Sequence, residues 1–539
     1  MGRFVRFLCA IGARREFEYA APTQVVEEVG QDGGGKGATG AINNVSTYTF
    51  KAKAKLLDRW LDKVVEISGS EFVFFVILGG LLAWAFLGIP FGQVTDWQVG
   101  ISDSQAVINL VFDSFLMRQQ LNAYDQIMIV SCCLRSRTVS HKRMLKELVK
   151  DGKYEKVNLT QFHELDQTEF ASELPTENLL GRISTAVSVF LGHIATVTGF
   201  WVCIFIWIGF GQHCGWSSRW LLYINSATSA LMVFMLAFLA NIRERHKNYA
   251  AKCLELIYEA DAALELRLRA ATGDTTANQA FQIPAPKVKR IQRWINFYAD
   301  LVGTLLGIAF LLLVMIIWVV IGPALSFDSN WWLLIGTYAG LIGMNDGFVL
   351  RNIFNKIREH EDEQFDYQMF DDMDILALIG VTELAEEHAT DNSLSCRISV
   401  AVGNWCSHEL TVLFGGLTIL CLIIGSSAMR WSLTGQLLCN VPPSIIESFF
   451  TMILLTGHNI GEDKRRVDLH NIYLRRLKLI SYVDTLVKLE KPQVSELQPH
   501  SISIASERGP DATPMLPAMQ PCSPSYTPTG SQDFDGCEG

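Results

Sequence analysis

Eight long apolar runs, separated by charged segments, limit what this chain can fold into. A membrane-spanning helix needs about 20 largely apolar residues, and the runs come close to or exceed that length. They cover residues 72–89, 99–117, 183–210, 220–240, 297–321, 331–350, 398–426 and 441–456. Backbone polar groups must be satisfied inside lipid, so these runs predict helices. Charged residues make up 19% of the chain, whereas they make up roughly 25% of the residues in soluble proteins. This difference excludes one large soluble enzyme.

Positive charge collects on one side of the predicted spans. Lys and Arg are frequent before the first span, after the second and in the other long segments between pairs of spans. The short alternate loops hold chiefly Arg219 and Arg430. The positive-inside rule therefore places both termini and all long loops in the cytosol. The sequence predicts an all-α polytopic membrane protein with about eight transmembrane helices.

The spans form four pairs that resemble one another. Each pair has a Gly-containing helix, a short external loop with Trp, and a return helix. We predict four repeated two-helix hairpins, in units covering residues 51–182, 183–286, 287–396 and 397–491. Unit 1 has a cytosolic loop, unit 2 a helical extension, unit 3 an acidic loop and unit 4 a cytosolic helix. Internal repeats in membrane proteins commonly frame a central substrate site.

The two ends of the chain differ from this repeated part. Residues 1–50 include a Gly-rich stretch and predict a partly disordered cytosolic tail. Residues 492–539 are rich in Ser, Pro and acidic residues and predict a disordered C-terminal tail. Of the twelve cysteines, only Cys214 and Cys439 fall in predicted external loops. They either form a disulfide or remain two free thiols.

Acidic residues occupy matching positions in three of the four return helices. These are Asp113, Asp346 and Glu447, whereas unit 2 has apolar residues at this point, near Leu236. A charge inside a bilayer costs about 3 kcal/mol or more, so it usually marks a pathway. Carboxylates are ligands for divalent transition-metal ions. The alternative is that each acid pairs with a nearby cation, such as Arg118 or Arg351, each five residues further on.

A second set of polar residues aligns in the first helices. When the late Trp residues are matched, His193 falls at the same place as Ser70 and Thr304, and Glu409 falls there in unit 4, next to His408. One interpretation is that His193 and Glu409 are metal ligands in the path. The other is hydrogen bonding between helices, which polar residues in membrane bundles often provide. Three asparagines are predicted either to support the ligands from behind or to pack between helices. They are Asn345, Asn225 and Asn241.

Several strings resemble the fungal low-affinity iron(II) permease family. They are Trp97-Gln98 followed by DSFLMRQQ at residues 113–120, and GAR at 12–14 leading to APT at 21–23. Residues 220–225 (WLLYIN) through Asn241 to Arg245, then Lys252 and Glu255, resemble small bacterial members that carry one hairpin unit. The resemblance covers roughly residues 1–490. Ala240, where the bacterial pattern usually has Gln, and Pro442 with Pro443 depart from it.

The resemblance implies uptake of Fe²⁺ across the plasma membrane, with passage of other cations such as Zn²⁺, Cu and Mn²⁺. Iron would then be the transported substrate, and we predict no permanently bound cofactor. The predicted partners are metal cations and the lipid bilayer, with no nucleic acid. A homo-oligomer is left open.

Two other functional classes compete with transport. A haem or metal oxidoreductase in a helical bundle needs paired axial ligands, and only His193 and His408 lie deep in the spans. A non-transport membrane scaffold would not require three aligned carboxylates. The sequence has no Walker A string, which argues against an ATP-driven pump, and we predict a transporter rather than an enzyme.

Overall fold

The computed structural model describes residues 14–26, 53, 55–150, 174, 177–327, 329–381 and 394–490. The predicted C-terminal tail and most of the predicted N-terminal tail lie outside these residues. Most described residues are helical, in elements that follow the same order four times. Each set has a short helix, a break in the backbone, an apolar helix and a long helix.

The first set follows a short strand, β1 (Phe17–Tyr19), and consists of α1 (Leu56–Ser68), α2 (Glu71–Phe91) and α3 (Thr95–Lys150). The second set is α4 (Leu179–Gly192), α5 (Ile194–Phe210) and α6 (Ser218–Thr272). A second strand, β2 (Phe281–Ile283), leads to α7 (Arg290–Gly303), α8 (Leu305–Ile321) and α9 (Ser329–Leu378). The last set is α10 (Leu394–Cys406), α11 (Glu409–Ala428) and α12 (Leu433–Glu490).

The four long helices, α3, α6, α9 and α12, form the centre of the molecule and are called the core helices below. Helix α3 packs against α6 and α9, and α12 packs against the same two neighbours, so the core helices form a ring. One hydrophobic cluster draws side chains from all four of them. The ring therefore has an interior onto which residues of every set face.

The shorter helices pack around this ring in a regular way. Helix α2 packs mainly on α6, α4 on α12, α11 on α9 and α12, and α7 on α3 and α9. Each set thus covers the core helix of a neighbouring set in the ring, whose order is set 1, set 2, set 4 and set 3. This exchange ties the four sets together, because no core helix is covered only by helices of its own set.

The apolar helices α2, α5, α8 and α11 present large hydrophobic side chains outward. No residue of α2 is buried, and Phe86, Phe205 and Phe310 are exposed on three different helices. Such a surface suits lipid and not water. In the part of the chain that the structure describes, five helices are long and apolar enough to cross a membrane, or six if α4 and α5, bent by 50°, count as one span. The predicted spans at 99–117 and 331–350 lie on α3 and α9, which are not among these helices.

Tryptophan pairs lock the turns between the apolar and long helices. Trp84 stacks on Trp97, with ring centroids 4.5 Å apart, and each indole N–H donates to the other residue's carbonyl oxygen. Trp318 and Trp331 repeat this arrangement at 4.3 Å. Trp207 and Trp220 also stack, at 3.9 Å. The Trp residues noted in the sequence therefore hold the first three hairpins closed.

Beyond the predicted spans, the core helices continue as a bundle that buries an ionic network. Arg476 of α12 pairs with Asp261 of α6 at 2.7 Å and with Asp372 of α9 at 2.9 Å. Arg137 of α3 pairs with Glu265 of α6 at 3.0 Å. All these side chains are buried. The network links all four core helices, and breaking a buried pair by removing one partner leaves an uncompensated charge.

The prediction of an all-α chain misses one small sheet. Strand β1 pairs antiparallel with β2, with Phe17 opposite Ile283. Phe17 is 2% exposed, and the residues after it lie against α3 and α6 through hydrogen bonds from Ala21 N to Ser136 Oγ and from Gln24 N to Glu265 Oε1. Residues 14–26 of the predicted tail are therefore part of the packed structure.

Candidate functional site

Three core helices each bring one acidic residue into the ring. Asp113 on α3 and Asp346 on α9 are 3% exposed, and Glu447 on α12 is 1% exposed. The three carboxyl groups are near enough for their charges to act on one another. These are the three acids that the aligned positions singled out, and we call them the carboxylate cluster.

Glu447 reaches across the interior of the ring. Asn109, on the opposite core helix, donates from Nδ2 to Glu447 Oε1 at 2.5 Å. Gly343 of α9 leaves room for this carboxylate, because a Cβ at that position would lie 2.6 Å from Glu447 Oε1. The hydrogen bond joins helices that do not otherwise pack closely, which places the Glu447 side chain inside the ring.

Asp346 is held by a residue that the sequence did not single out. Tyr298 of α7 donates its hydroxyl hydrogen to Asp346 Oδ1 at 2.6 Å. Asn345 also hydrogen-bonds Tyr298, and its supporting role at the cluster stays a prediction. A phenol donating to a carboxylate is a charge-assisted bond and fixes the carboxylate's orientation.

Several oxygen atoms of the cluster have unused acceptor capacity. Asp113 Oδ2, Glu447 Oε2 and Asn109 Oδ1 are buried and accept no hydrogen bond from the described residues. Buried polar atoms are normally paired, so unpaired oxygens need an explanation. Carboxylate and amide oxygens are suitable ligands for a divalent cation.

The fourth side of the ring is apolar at this level. Helix α6 presents Met232 and Leu236, both buried, where the other core helices carry acids. Ser448 and Thr451 of α12 donate to Met232 Sδ at 3.8 and 3.6 Å. The cluster is therefore one-sided, with its charge on α3, α9 and α12.

The cluster is not a closed metal site in this conformation. Within the described part of the chain, no three His, Cys, Asp or Glu side chains lie close enough together to hold one metal ion. An ion at the cluster would therefore be coordinated by few protein ligands and keep part of its water shell. That arrangement favours weak binding, which suits passage more than storage.

Comparison with known proteins identifies the family. The chain is 35% identical over 495 residues to the "Low-affinity iron/zinc ion transport protein fet4" of Schizosaccharomyces pombe, covering 88% of this chain and 84% of that protein. It is 32% identical over 544 residues to the "Low-affinity Fe(2+) transport protein" of Saccharomyces cerevisiae, covering 90% and 98%. The model of the low affinity iron permease family matches residues 180–276 and 395–507.

The chain belongs to the low affinity iron permease family. This confirms the resemblance carried by the DSFLMRQQ and WLLYIN strings. The family is one of permeases and not of enzymes. The two segments matched by the family model contain the second and fourth sets of helices. No solved structure matches the chain.

The two arginines considered as partners of the acids lie elsewhere in the permease. Arg118 pairs with Asp62 at 2.7 Å and with Asp58 at 3.2 Å, both on α1. Arg351 lies against α10 and α12, where it approaches Gly403 and Gly457. Neither guanidinium forms an ion pair with the carboxylate cluster among the described residues. The alternative of local charge neutralisation is therefore unsupported for Asp113 and Asp346.

The permease places the second predicted set of ligands at helix starts and not in the cluster. His193 is the N-cap of α5, its Nδ1 accepting from Ala195 N at 3.2 Å, and His408 caps α11 in the same way through Leu410 N. Both histidines are exposed. Glu409 is the first residue of α11, where a negative charge is favoured. Their role as metal ligands stays a prediction, and the geometry shows capping.

Ser70, His193, Thr304 and His408 are the N-caps of the four apolar helices. The alignment of Glu409 with the first three residues is therefore off by one, and His408 is the equivalent residue. Unit 4 has Leu422 where the other units have Trp84, Trp207 and Trp318, fourteen residues after the N-cap. Without a Trp to match, the register of unit 4 could not be fixed from the sequence.

At each break, a neighbouring core helix supplies a hydrogen-bond donor. The carbonyl just before each N-cap accepts from a side chain of the core helix packed beside it. The pairs are Asn241 to Gly69 at 3.0 Å, Thr456 to Gly192 at 2.6 Å, Arg118 to Gly303 at 3.3 Å and Asn352 to Ser407 at 2.7 Å. Asn241 is thus one of these four donors, and its predicted supporting role stays a prediction. Asn225 donates to Ser102 Oγ at 2.7 Å between α6 and α3.

The two cysteines predicted in external loops are both free. Cys214 is exposed, whereas Cys439 is buried within α12 and lies 2.9 Å from Ser426 Oγ. Cys439 therefore belongs to a helix and not to a loop. Of the two alternatives, the structure shows two free thiols.

Proposed function

We propose that the chain carries Fe²⁺ across the plasma membrane into the cytosol, along the interior of the ring of core helices and past the carboxylate cluster. The observation that carries this proposal is the convergence of Asp113, Asp346 and Glu447 from three helices into one buried interior. Membership of the iron permease family supports Fe²⁺ as the substrate.

The chemistry of the cluster suits a weakly held divalent cation. Three buried carboxyl groups provide the negative charge, and the unpaired oxygens of Asp113 and Glu447 provide ligand positions. A cation that passes must bind well enough to enter and weakly enough to leave. We propose that Asp346 exchanges its hydrogen bond from Tyr298 for the cation as it passes.

Other divalent cations fit the same oxygen ligands. The fission yeast relative is named for both iron and zinc, and oxygen ligands discriminate poorly among first-row divalent ions. We therefore propose that Zn²⁺ passes as well, and that Mn²⁺ and copper ions compete for the path.

We further propose eight spans in four related hairpins, with both termini in the cytosol. The recurring order of elements and the four equivalent donors at the breaks support the four units. Strand β1 lies beside the extension of α3, at the end of the ring where Lys and Arg are frequent. The positive-inside rule makes that end cytosolic.

The test is Fe²⁺ uptake by cells that lack their own low-affinity iron uptake and express the chain. Asp113→Asn and Asp346→Asn should each lower the initial rate of Fe²⁺ uptake by about tenfold or more. A charged side chain inside a membrane costs free energy, and it usually lies on the path of an ion. Surface expression should remain at the native level.

The matched control is Asp374→Asn, which makes the same change at an exposed position on the extension of α9. It should transport at the native rate. Native uptake by both Asp113→Asn and Asp346→Asn would refute the path through the cluster. Loss of uptake in all three variants would point to a general effect of removing acidic residues.

A further inference from the structure

A small cavity lies inside the ring between the carboxylate cluster and the bundle beyond it. All four core helices line this cavity, which has a volume of about 40 Å³ and contains Gln120, Arg243, Phe354 and His458. Arg243 is seven residues beyond Leu236 on α6, or about 10 Å along the helix. The space admits about three water molecules and excludes a hydrated cation. The proposed path is therefore closed at this level.

Four Lys and Arg side chains line this constriction, and all of them except Arg243 form ion pairs with carboxylates. Arg243 is 6% exposed and donates from Nη2 to Gln120 Oε1 of α3, and its guanidinium lies 5.9 Å from the ring centroid of Phe354 on α9. Its Nη1 has no hydrogen-bond partner, and among the described residues Arg243 forms no ion pair with a carboxylate. A buried guanidinium without a counter-charge is costly, so a purely structural role explains it poorly.

An unused acceptor lines the same cavity. Glu361 of α9 is buried and accepts from Arg465 Nη2 through Oε2 at 2.9 Å, whereas its Oε1 accepts no hydrogen bond. Arg243 thus has a free donor, and Glu361 a free acceptor, around one small space. A side-chain rotation that joined them would give Arg243 its missing counter-charge and remove it from Gln120.

We infer that Arg243 is the cytosolic barrier of the cation path, and that the path opens when its guanidinium turns from Gln120 to Glu361. This inference rests on the proposed path through the ring. A fixed positive charge in a narrow passage repels cations, as arginine does in other selective pores. With Arg243 paired to Glu361, its charge is neutralised and a divalent cation leaves the cluster toward the cytosol.

The test removes the charge of Arg243 while keeping a polar side chain. Arg243→Gln should raise the initial rate of Fe²⁺ uptake several-fold, because the barrier no longer needs to be displaced. Arg243→Lys keeps the charge and should raise it far less. Lys252→Gln removes one positive charge from an exposed position nine residues further along the same helix and should leave uptake unchanged.

Two further variants address the two positions of the guanidinium. Gln120→Leu removes the partner in the closed state and should raise uptake, and Glu361→Gln removes the partner in the open state and should lower it. Arg243→Gln with native or reduced uptake at native surface expression overturns the inference. If that variant does not reach the surface, Gln120→Leu decides, and unchanged or reduced uptake overturns the inference.

The double variant Asp113→Asn with Arg243→Gln separates this inference from the proposed path. Loss of uptake in the double variant, with increased uptake in Arg243→Gln alone, supports both. If Asp113→Asn and Asp346→Asn both transport normally, the path through the cluster fails. If Asp113→Asn loses uptake and Arg243→Gln gains none, the path stands and the barrier fails.

Discussion

At the scale of single residues, hydrogen bonds to the carboxylate cluster would compete with a cation at the proposed site. Asn109 and Tyr298 each occupy one carboxylate oxygen, on Glu447 and Asp346 respectively. A hydrogen bond to a charged group contributes about 1.5–3 kcal/mol. A cation that binds through the same oxygen must displace this donor, which weakens its apparent affinity.

Tyr298→Phe should therefore tighten the apparent binding of Fe²⁺. We expect the concentration for half-maximal uptake to fall by up to about tenfold, because one charge-assisted bond need not be broken. Radiolabelled Fe²⁺ uptake over a range of concentrations measures this. The control is Tyr223→Phe. It removes an exposed hydroxyl near the start of α6 that hydrogen-bonds Gln93. An increase in the half-maximal concentration would show that Tyr298 assists binding.

The sequence predicted the acids of the cluster but not their partners. Asp113, Asp346 and Glu447 stand out because ionisable residues in apolar runs are rare. Asn109 precedes Asp113 by four residues, one helical turn, which is a signal that could have been used. Tyr298 and Arg243 act through contacts between helices far apart in sequence. Periodicity along one helix carries no information about such contacts.

At the scale of helices, the four breaks are the best-defined repeated feature. Each apolar helix begins two residues after a carbonyl that has lost its helical partner, and a neighbouring core helix supplies a donor in its place. An unpaired carbonyl in a membrane costs free energy, so these donors stabilise the breaks. They also couple each set of helices to the next around the ring.

Thr456→Val tests one of these donors with little change of shape. It removes the hydroxyl that donates to the Gly192 carbonyl oxygen and should destabilise the protein by about 1 kcal/mol. Thermal unfolding of the detergent-solubilised protein measures this as a lower melting temperature. Thr418→Val is the control, because the hydroxyl of Thr418 makes an exposed hydrogen bond to the carbonyl of Phe414 in the preceding turn of α11. Equal shifts in both variants would argue against a special role for Thr456.

At the scale of the whole molecule, the ionic network makes stability depend on pH. His141 of α3 is fully buried beside this network, with Nδ1 3.9 Å from Asp261 Oδ1. Burial, together with the charges of Arg476, Arg137 and Arg269, holds the pKa of His141 well below its usual range. The native state therefore keeps this histidine neutral at pH values where the unfolded chain protonates it.

Acidification should then destabilise the native protein through His141. The unfolded chain takes up the proton as pH falls through about 6.5, and below that each pH unit costs up to about 1.4 kcal/mol until the native pKa is reached. Between pH 7 and pH 5, the melting temperature of the native protein should fall more than that of His141→Leu. Parallel pH profiles of the two proteins would exclude His141 as a source of acid sensitivity.

The ring itself was only partly predictable. The apolar runs predicted the helices and their order, and the distribution of Lys and Arg predicted their orientation. Both signals can be read from short stretches of sequence. The pairing of β1 with β2 joins Phe17 to Ile283, and neither three-residue strand has a periodic pattern. The break at His408 was misplaced by one residue because Leu422 replaces the Trp that fixed the register of the other units.

The position of β1 determines when the N-terminal segment can pack during biosynthesis. Residues 14–26 leave the ribosome early, yet their partners, Glu265, Asn278 and Ile283, follow more than 240 residues later. At about 5–20 residues per second, the segment waits for tens of seconds before it can dock. Only then can this N-terminal segment pack across α3 and α6. Docking of the N-terminal segment is thus a late step of biogenesis, completed only after the first two sets of helices have been synthesised.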